Sequence, residues 1–139
     1  MRMRKGMSYI IVSLWYLMIS LKYVCPMKNR SEGPFRVRGV GVKEPMPPCL
    51  IDRPQGTGDW LLMLFYEEVR IKVNGVLQSY PPNTMMIWSV DAGHCYGNLQ
   101  KPWRHSWIHC DGGLAPFLLE RNRLVPGLPV SLHTPLVFE

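Results

Sequence analysis

From Phe35 onward, short apolar runs are separated every eight to twelve residues by Pro, Gly or Asn. This spacing is typical of antiparallel sandwiches and barrels. The strongest local signal is Asn74-Gly75, because a type I′ hairpin turn needs positive φ at both central residues. The preceding segment, EEVRIKV, alternates aliphatic with charged residues as a half-buried strand does. The sequence therefore predicts an all-β fold, an antiparallel barrel or jelly roll.

One apolar run and the C-terminal pieces refine this prediction. WLLMLFY at residues 60–66 does not alternate, which predicts a strand buried on both faces. The pieces after Gly113 are short, and no window there predicts a helix. A small barrel of this kind can hold one small ligand.

The positive charge of the chain is concentrated at its N-terminal end. Residues 1–43 hold nine Lys or Arg and one Glu, whereas residues 44–139 hold seven Lys or Arg and nine Asp or Glu. The positive excess behind the net charge of +6 therefore lies in the first third of the chain, and residues 44–139 are slightly acidic. We expect no specific binding of DNA by the barrel itself.

The N-terminal segment is predicted to be separate from the barrel, with residues 1–34 as an extension and linker and residues 35–139 as a ligand-binding domain. Residues 7–24 are apolar and follow a basic start. Three alternatives stay open for this run: an export or membrane-anchor segment, a helix packed on the barrel, or an extension without a structural role. We expect a cytoplasmic protein, with membrane association through residues 7–24 as the alternative.

The cysteines are isolated in the sequence. Cys25, Cys49, Cys95 and Cys110 form no CxxC motif. We expect buried, reduced thiols of a cytosolic protein, and the pairing of Cys95 with Cys110 stays open.

The stretch KPWRHSWIHCDGG carries the most distinctive side chains. On a strand, Trp103, His105, Trp107 and His109 share one face. At about 3.3 Å per residue, the two histidines lie roughly 13 Å apart, too far to ligate one ion together. We therefore expect neither a metal nor a cofactor.

Catalytic motifs are absent from the sequence. There is no G-x-S-x-G and no H-E-x-x-H, and GTGD at residues 56–59 lacks the Lys-Ser/Thr and the helix of a phosphate loop. We expect a protein that is not an enzyme.

The residue types do suit a small polyol. Trp offers a flat apolar face with one N–H donor, Tyr adds a hydroxyl, and Arg can hold two oxygens at once. The candidate ligand-binding residues are Arg53, Tyr96, His105 and Trp107.

Four ordered segments resemble the ligand-binding domain of AraC-type arabinose-operon regulators. They are IDRPQG at residues 51–56, the hairpin around Asn74-Gly75, HCYG at residues 94–97 and WRHSWIH at residues 103–109. The resemblance covers roughly residues 36–139. It implies a cupin-like barrel that binds L-arabinose or a related sugar. In the family this domain is followed by a dimerising helical pair and a helix-turn-helix domain.

Single residues carry over from the resemblance. It implies sugar contacts from Arg53, Tyr96 and His105, with the indole of Trp107 stacked on the sugar ring. His94 and Trp103 are secondary candidates. A family threonine contact falls near Gly41 and does not carry over, and the family's sugar-closing N-terminal arm has no counterpart in residues 1–34.

The resemblance thus predicts a sugar-sensing domain of an AraC-family transcription regulator. Glu139 precedes any dimerising or DNA-binding helix, so DNA binding and homodimer formation are expected only of a longer regulator. Two alternative functions stay open: a metal-dependent cupin enzyme and a membrane-anchored sugar-binding module.

Overall fold

The computed structural model describes the backbone of residues 9–15 and 18–24 and the whole of residues 33–134. In these ranges the chain consists of strands and one short helix, α1 (Leu114–Arg121). The strands are β1 (Tyr9–Trp15), β2 (Met18–Val24), β3 (Arg36–Met46), β4 (Cys49–Arg53), β5 (Trp60–Phe65), β6 (Val69–Val73), β7 (Val76–Tyr80), β8 (Thr84–Trp88), β9 (His94–Asn98), β10 (Trp103–Asp111) and β11 (Val130–Ser131). The predicted all-β class is confirmed.

Two antiparallel sheets contain these strands. The larger sheet has the order β1-β2-β3-β10-β5-β8-β11, and the smaller sheet has the order β4-β9-β6-β7. Strand β10 lies inside the larger sheet, paired with β3 on one edge and with β5 on the other. This arrangement agrees with the cupin-like barrel that the sequence resemblance implies.

The main core lies between the two sheets and follows the alternation of their strands. Strand β5 contributes Leu61, Met63 and Phe65 from the larger sheet, all at most 2% exposed. Strand β6 contributes its aliphatic residues from the smaller sheet, while Arg70 and Lys72 between them are exposed. Burial of these apolar side chains is the dominant stabilising contribution to such a core.

A second cluster covers the outer face of the larger sheet. Met85 and Ile87 of β8 pack there with Leu119 of α1, and Trp60 and Leu62 of β5 lie against them. Strand β5 is therefore buried on both faces, as its uninterrupted apolar run predicts.

Helix α1 was not predicted, and the expectation that no helix follows Gly113 is wrong. The helix is only 8 residues long, so its period is hard to detect, and Pro116 lies in its first turn. Proline is tolerated there because the first N–H groups of a helix have no intrahelical partner. Ala115 and Leu119, four residues apart, form its buried face.

In the N-terminal run, residues 9–15 and 18–24 form strands, so the helix considered as one alternative is not observed there. β1 and β2 pair in antiparallel register, and β2 continues onto β3 with Val24 opposite Gly39. The run is rich in β-branched residues, which favour strands, and the edge of β3 offers free backbone groups. The boundary at residues 34 and 35 stays a prediction, and residues 25–32 of the predicted linker lie outside the described residues.

Asn74 and Gly75 form the predicted hairpin between β6 and β7. Their φ angles are +50° and +82°, and Val73 and Val76 pair on either side of them. Both positive φ values are those a type I′ turn requires.

Cys49, Cys95 and Cys110 are free thiols, so Cys95 and Cys110 are not paired. Burial raises the pKa of both, that of Cys110 to about 11. Cys25 lies outside the described residues. The only helix within those residues is too short to cross a membrane.

A substitution at Gly97 tests how closely β4 packs against β9. Its φ is +141°, and a Cβ atom there would lie 2.2 Å from the carbonyl oxygen of Cys49. We expect Gly97→Ala to lower the free energy of unfolding by roughly 1–3 kcal/mol, because both the backbone angle and the contact are strained. Urea denaturation measures the change.

Gly113→Ala is the matched control. A Cβ atom at Gly113 has nothing within 4 Å, and its φ is −70°. Equal stability of the two variants would contradict the close approach of β4 to β9.

Candidate functional site

A cavity of about 440 Å³ lies between the two sheets. Its volume falls within the range of small-molecule sites, about 300–1,000 Å³. Its walls come from β3, β4, β5, β9, β10 and the loop before β5. The lining residues are Arg38, Gly39, Glu44, Met46, Ile51, Arg53, Thr57, Asp59, Met63, Tyr96, His105, Trp107 and His109.

The structure brings the four main candidates together, since Arg53, Tyr96, His105 and Trp107 all line this one cavity. They come from three different strands, separated by up to 54 positions along the chain. The cavity therefore collects the aromatic faces and the polar groups that the sequence analysis assigned to ligand binding.

Alternation along β10 places His105, Trp107 and His109 on the cavity wall. Trp103 belongs to the same strand face but is 2% exposed and packs in the core, with its ring 6.1 Å from Phe65. The shared face predicted from the sequence is thus divided between core and cavity.

Trp107 is fixed by a hydrogen bond and by a glycine. Its indole Nε1 donates to Glu44 Oε2 at 2.6 Å. Gly41 lies opposite Trp107 in the β3–β10 pairing, and a Cβ atom there would approach Nε1 to 2.3 Å. The absent side chain lets the indole lie against the backbone of β3. Gly41 is also close to where the sequence resemblance implies a threonine contact, which a glycine does not supply.

Glu44 also contacts His105. The distance from His105 Nε2 to Glu44 Oε2 is 3.3 Å, so one carboxylate oxygen faces both the imidazole and the indole. The His105 side chain is 6% exposed, whereas that of Glu44 is 23% exposed. A carboxylate that accepts from two rings holds both of them in one orientation.

A second carboxylate, Asp59, is 6% exposed. It lies beside His109, at the other end of the β10 face that carries His105 and Trp107. It accepts a hydrogen bond from Thr57 Oγ1 at 2.6 Å and contacts His109 Nδ1 at 2.8 Å. Arg38 Nε lies 3.8 Å from Asp59 Oδ2. The buried charge of Asp59 is therefore compensated, as a charge in a protein interior must be.

Arg38 links the cavity to a surface ion-pair network. Its Nη1 donates to Asp111 Oδ2 at 2.8 Å, and Arg36 Nη2 donates to the same oxygen at 2.8 Å. Burial alone would raise the pKa of Asp111, but the hydrogen bonds and charges of the two guanidinium groups lower it below its usual value.

Arg53 and Tyr96 supply polar groups on the β4–β9 side of the cavity. Arg53 is exposed, and within the described part of the chain its guanidinium has no ion-pair partner. Tyr96 is 3% exposed, and its burial raises the pKa of the phenol to about 12. The phenol is therefore a neutral hydroxyl at pH 7 and can donate a hydrogen bond.

The secondary candidates support the cavity without lining it. The ring of His94 is 5.3 Å from that of Trp88 and 5.7 Å from that of Tyr96. The ring of Trp103 is 4.9 Å from that of His105. Both side chains pack behind residues of the cavity wall.

In the described ranges, no group of three or more His, Cys, Asp or Glu side chains is arranged to hold a metal ion. The two histidines of the cavity are instead each bound to a different carboxylate.

Four residues of the cavity wall were not among the candidates from the sequence: Arg38, Glu44, Asp59 and His109. Strand β3 has an extra residue at each of two irregularities, opposite His105–Trp107 and His109–Cys110. Each extra residue reverses the alternation, so the face on which Glu44 lies cannot be read from spacing. Asp59 follows two glycines with positive φ, which is a turn signal but not a site signal.

Comparisons with known proteins find similar solved structures but no matching family. No family model matches the chain, and no curated protein matches it. Among solved structures, the cupin domain of an XRE-family transcriptional regulator from Enterobacter cloacae is 16% identical, covering 72% of this chain and 95% of its own, with a TM-score of 0.38. A protein from Photorhabdus luminescens is 17% identical, with 88% and 99% covered and a TM-score of 0.47. A cupin domain from Bordetella pertussis is 7% identical, with 80% and 100% covered and a TM-score of 0.34.

The titration of His94 makes the free energy of unfolding dependent on pH. Burial, followed by the charges of Arg53 and His109, lowers the pKa of His94 to about 4. In the unfolded chain the pKa of His94 has its ordinary value near 6.5. At pH values between 4 and 6.5 the unfolded chain therefore binds more protons than the folded chain. We therefore expect the free energy of unfolding to fall as the pH is lowered from 6.5 to 4, by up to roughly 1.4 kcal/mol per pH unit.

His94→Phe keeps the ring contacts and removes the titration, so urea denaturation across this pH window should show a shallower dependence. His133 is exposed and lies outside the cavity wall, so His133→Gln should keep the wild-type dependence. An unchanged slope in His94→Phe would contradict the assignment.

Proposed function

We propose that this chain is a sugar-sensing domain, of the AraC-type regulator class, that binds an arabinose-like monosaccharide in the cavity between its sheets. The observation that carries the proposal is the position of Trp107, whose indole lines the cavity and is held by Glu44. A flat indole packs against the C–H face of a sugar ring, and the surrounding polar groups suit its hydroxyls.

The balance of donors and acceptors supports a polyol ligand. Arg53 and Tyr96 offer donors, while the carboxylates of Glu44 and Asp59 are acceptors. Sugar hydroxyls donate and accept at once, so they can satisfy both kinds of group. An apolar ligand of the same size would displace water from these groups and offer them no hydrogen bond in its place, which costs free energy.

The wider role is that of a regulator's sensor. DNA binding and dimerisation would come from helical domains of a longer regulator, as the sequence resemblance implies. A cytoplasmic location fits the free thiols of Cys49, Cys95 and Cys110, since the cytosol keeps cysteines reduced.

Titration calorimetry of the full chain with L-arabinose, D-galactose, D-fucose and a uronic acid tests the proposal. We expect heat with at least one neutral sugar. Trp107→Ala should abolish that heat, because it removes the stacking surface. Arg53→Ala should weaken binding by about tenfold, equivalent to about 1.4 kcal/mol.

Arg70→Ala is the matched control for Arg53→Ala. Arg70 is also exposed, its guanidinium donates to the Leu77 carbonyl oxygen, and it lies outside this cavity. Its removal should leave binding unchanged. No heat from any sugar at millimolar concentration would reject the sugar ligand.

A further inference from the structure

The cavity contains two histidine–carboxylate pairs that the binding of a sugar does not by itself require. His105 faces Glu44 at 3.3 Å, and His109 faces Asp59 at 2.8 Å. His105 and Glu44 are 61 positions apart in the sequence, and His109 and Asp59 are 50 apart, so no local sequence motif predicts either pair. Both pairs line the same cavity, one on each side of Trp107 along β10.

The Asp59–His109 pair has the geometry of a general base. The carboxylate of Asp59 is fixed by the hydrogen bond from Thr57, so it accepts from His109 Nδ1 and fixes the tautomer of the imidazole. His109 Nε2 is then the nitrogen with a free lone pair, and among the described residues it makes no hydrogen bond. A carboxylate that orients a histidine in this way is a recurrent device of proton transfer.

The position of His109 relative to the stacking surface makes this pair relevant to a bound sugar. The rings of Trp107 and His109 meet edge to face, with their centroids 5.2 Å apart. A sugar ring stacked on the indole would therefore have an exocyclic hydroxyl beside His109. The His105–Glu44 pair lies on the other side of the same indole, where it can hold a second proton.

We propose that the Asp59–His109 pair opens the ring of a reducing sugar bound on Trp107 and thereby interconverts its two anomers. This inference rests on the proposed function, since it needs an aldose in the cavity. It adds an activity to a chain whose sequence predicts no enzyme.

The reaction needs no cofactor and no second reactant. His109 Nε2 takes the proton of the anomeric hydroxyl, a C=O bond forms at the anomeric carbon, and the bond from that carbon to the ring oxygen breaks. His105, starting as an imidazolium paired with the Glu44 carboxylate, gives a proton to the ring oxygen and becomes a neutral imidazole. Rotation about the adjacent C–C bond and reversal of these steps close the ring on the other face and restore both protons.

Freshly dissolved crystalline L-arabinose, a single anomer, is the probe. Its approach to anomeric equilibrium is followed by polarimetry with and without the full chain, and binding is followed in the same samples by Trp fluorescence. We expect the chain to accelerate equilibration. His109→Gln should reduce the catalysed rate by about a hundredfold, a usual contribution of general acid–base catalysis, and should retain sugar binding.

Two further variants separate catalysis from folding. Asp59→Asn leaves His109 in place but removes the charge that orients it, so it should also lower the catalysed rate while circular dichroism remains that of the wild type. His133→Gln removes an exposed histidine far from the cavity wall in sequence and should keep the full rate.

The outcomes distinguish this inference from the proposed function. Binding of L-arabinose without any acceleration would overturn the inference and leave the proposed function standing. Acceleration that survives in folded His109→Gln and Asp59→Asn would overturn the role of this pair. Neither binding nor acceleration, with calorimetry silent for the whole sugar panel, would overturn both proposals.

Discussion

Strand β10 is hydrogen-bonded along both edges, to β3 and to β5, and the candidate site depends on this double pairing. A strand held on both sides cannot rotate or slip, because a shift of one residue would turn every side chain to the opposite face. His105, Trp107 and His109 are thereby directed into the space between the sheets. The smaller sheet closes that space from the other side with Tyr96 and Arg53.

This arrangement places polar groups inside an apolar core, and two carboxylates pair with several of them. Glu44 binds the indole and one imidazole, and Asp59 binds the other imidazole. Removing either carboxylate would leave buried donors without acceptors, which is more costly than never having placed them there. The same two carboxylates line the cavity, so in the proposed function stability and sugar recognition would rest on the same residues.

The sequence was sufficient where the physical signal is local. Asn74-Gly75 predicts its hairpin because the turn constrains both φ angles, and the apolar run of β5 predicts burial on both faces because nothing in it alternates. Arg53, Tyr96, His105 and Trp107 were selected by residue type and by resemblance, and the fold brings them to one cavity. Whether they bind a ligand stays a prediction.

The sequence was insufficient where the signal depends on pairing between distant segments. The side of β3 on which Glu44 lies depends on irregularities in its register with β10, which no spacing rule gives. Strands β1 and β2 form on the edge of β3, so their apolar run could not be distinguished from a helix without the partner strand. Helix α1 was missed because it is short and contains Pro116.

The central claim is that the cavity beside Trp107 binds a monosaccharide, and nuclear magnetic resonance of the indole N–H groups tests it most directly. The chain has five Trp residues, and the Trp107 signal is identified by its loss in Trp107→Phe. On addition of L-arabinose, we expect the Trp107 signal to shift while that of Trp60, which packs on the outer face of the larger sheet, stays in place. An unchanged Trp107 signal at saturating sugar, or a shift confined to Trp60, would contradict the account.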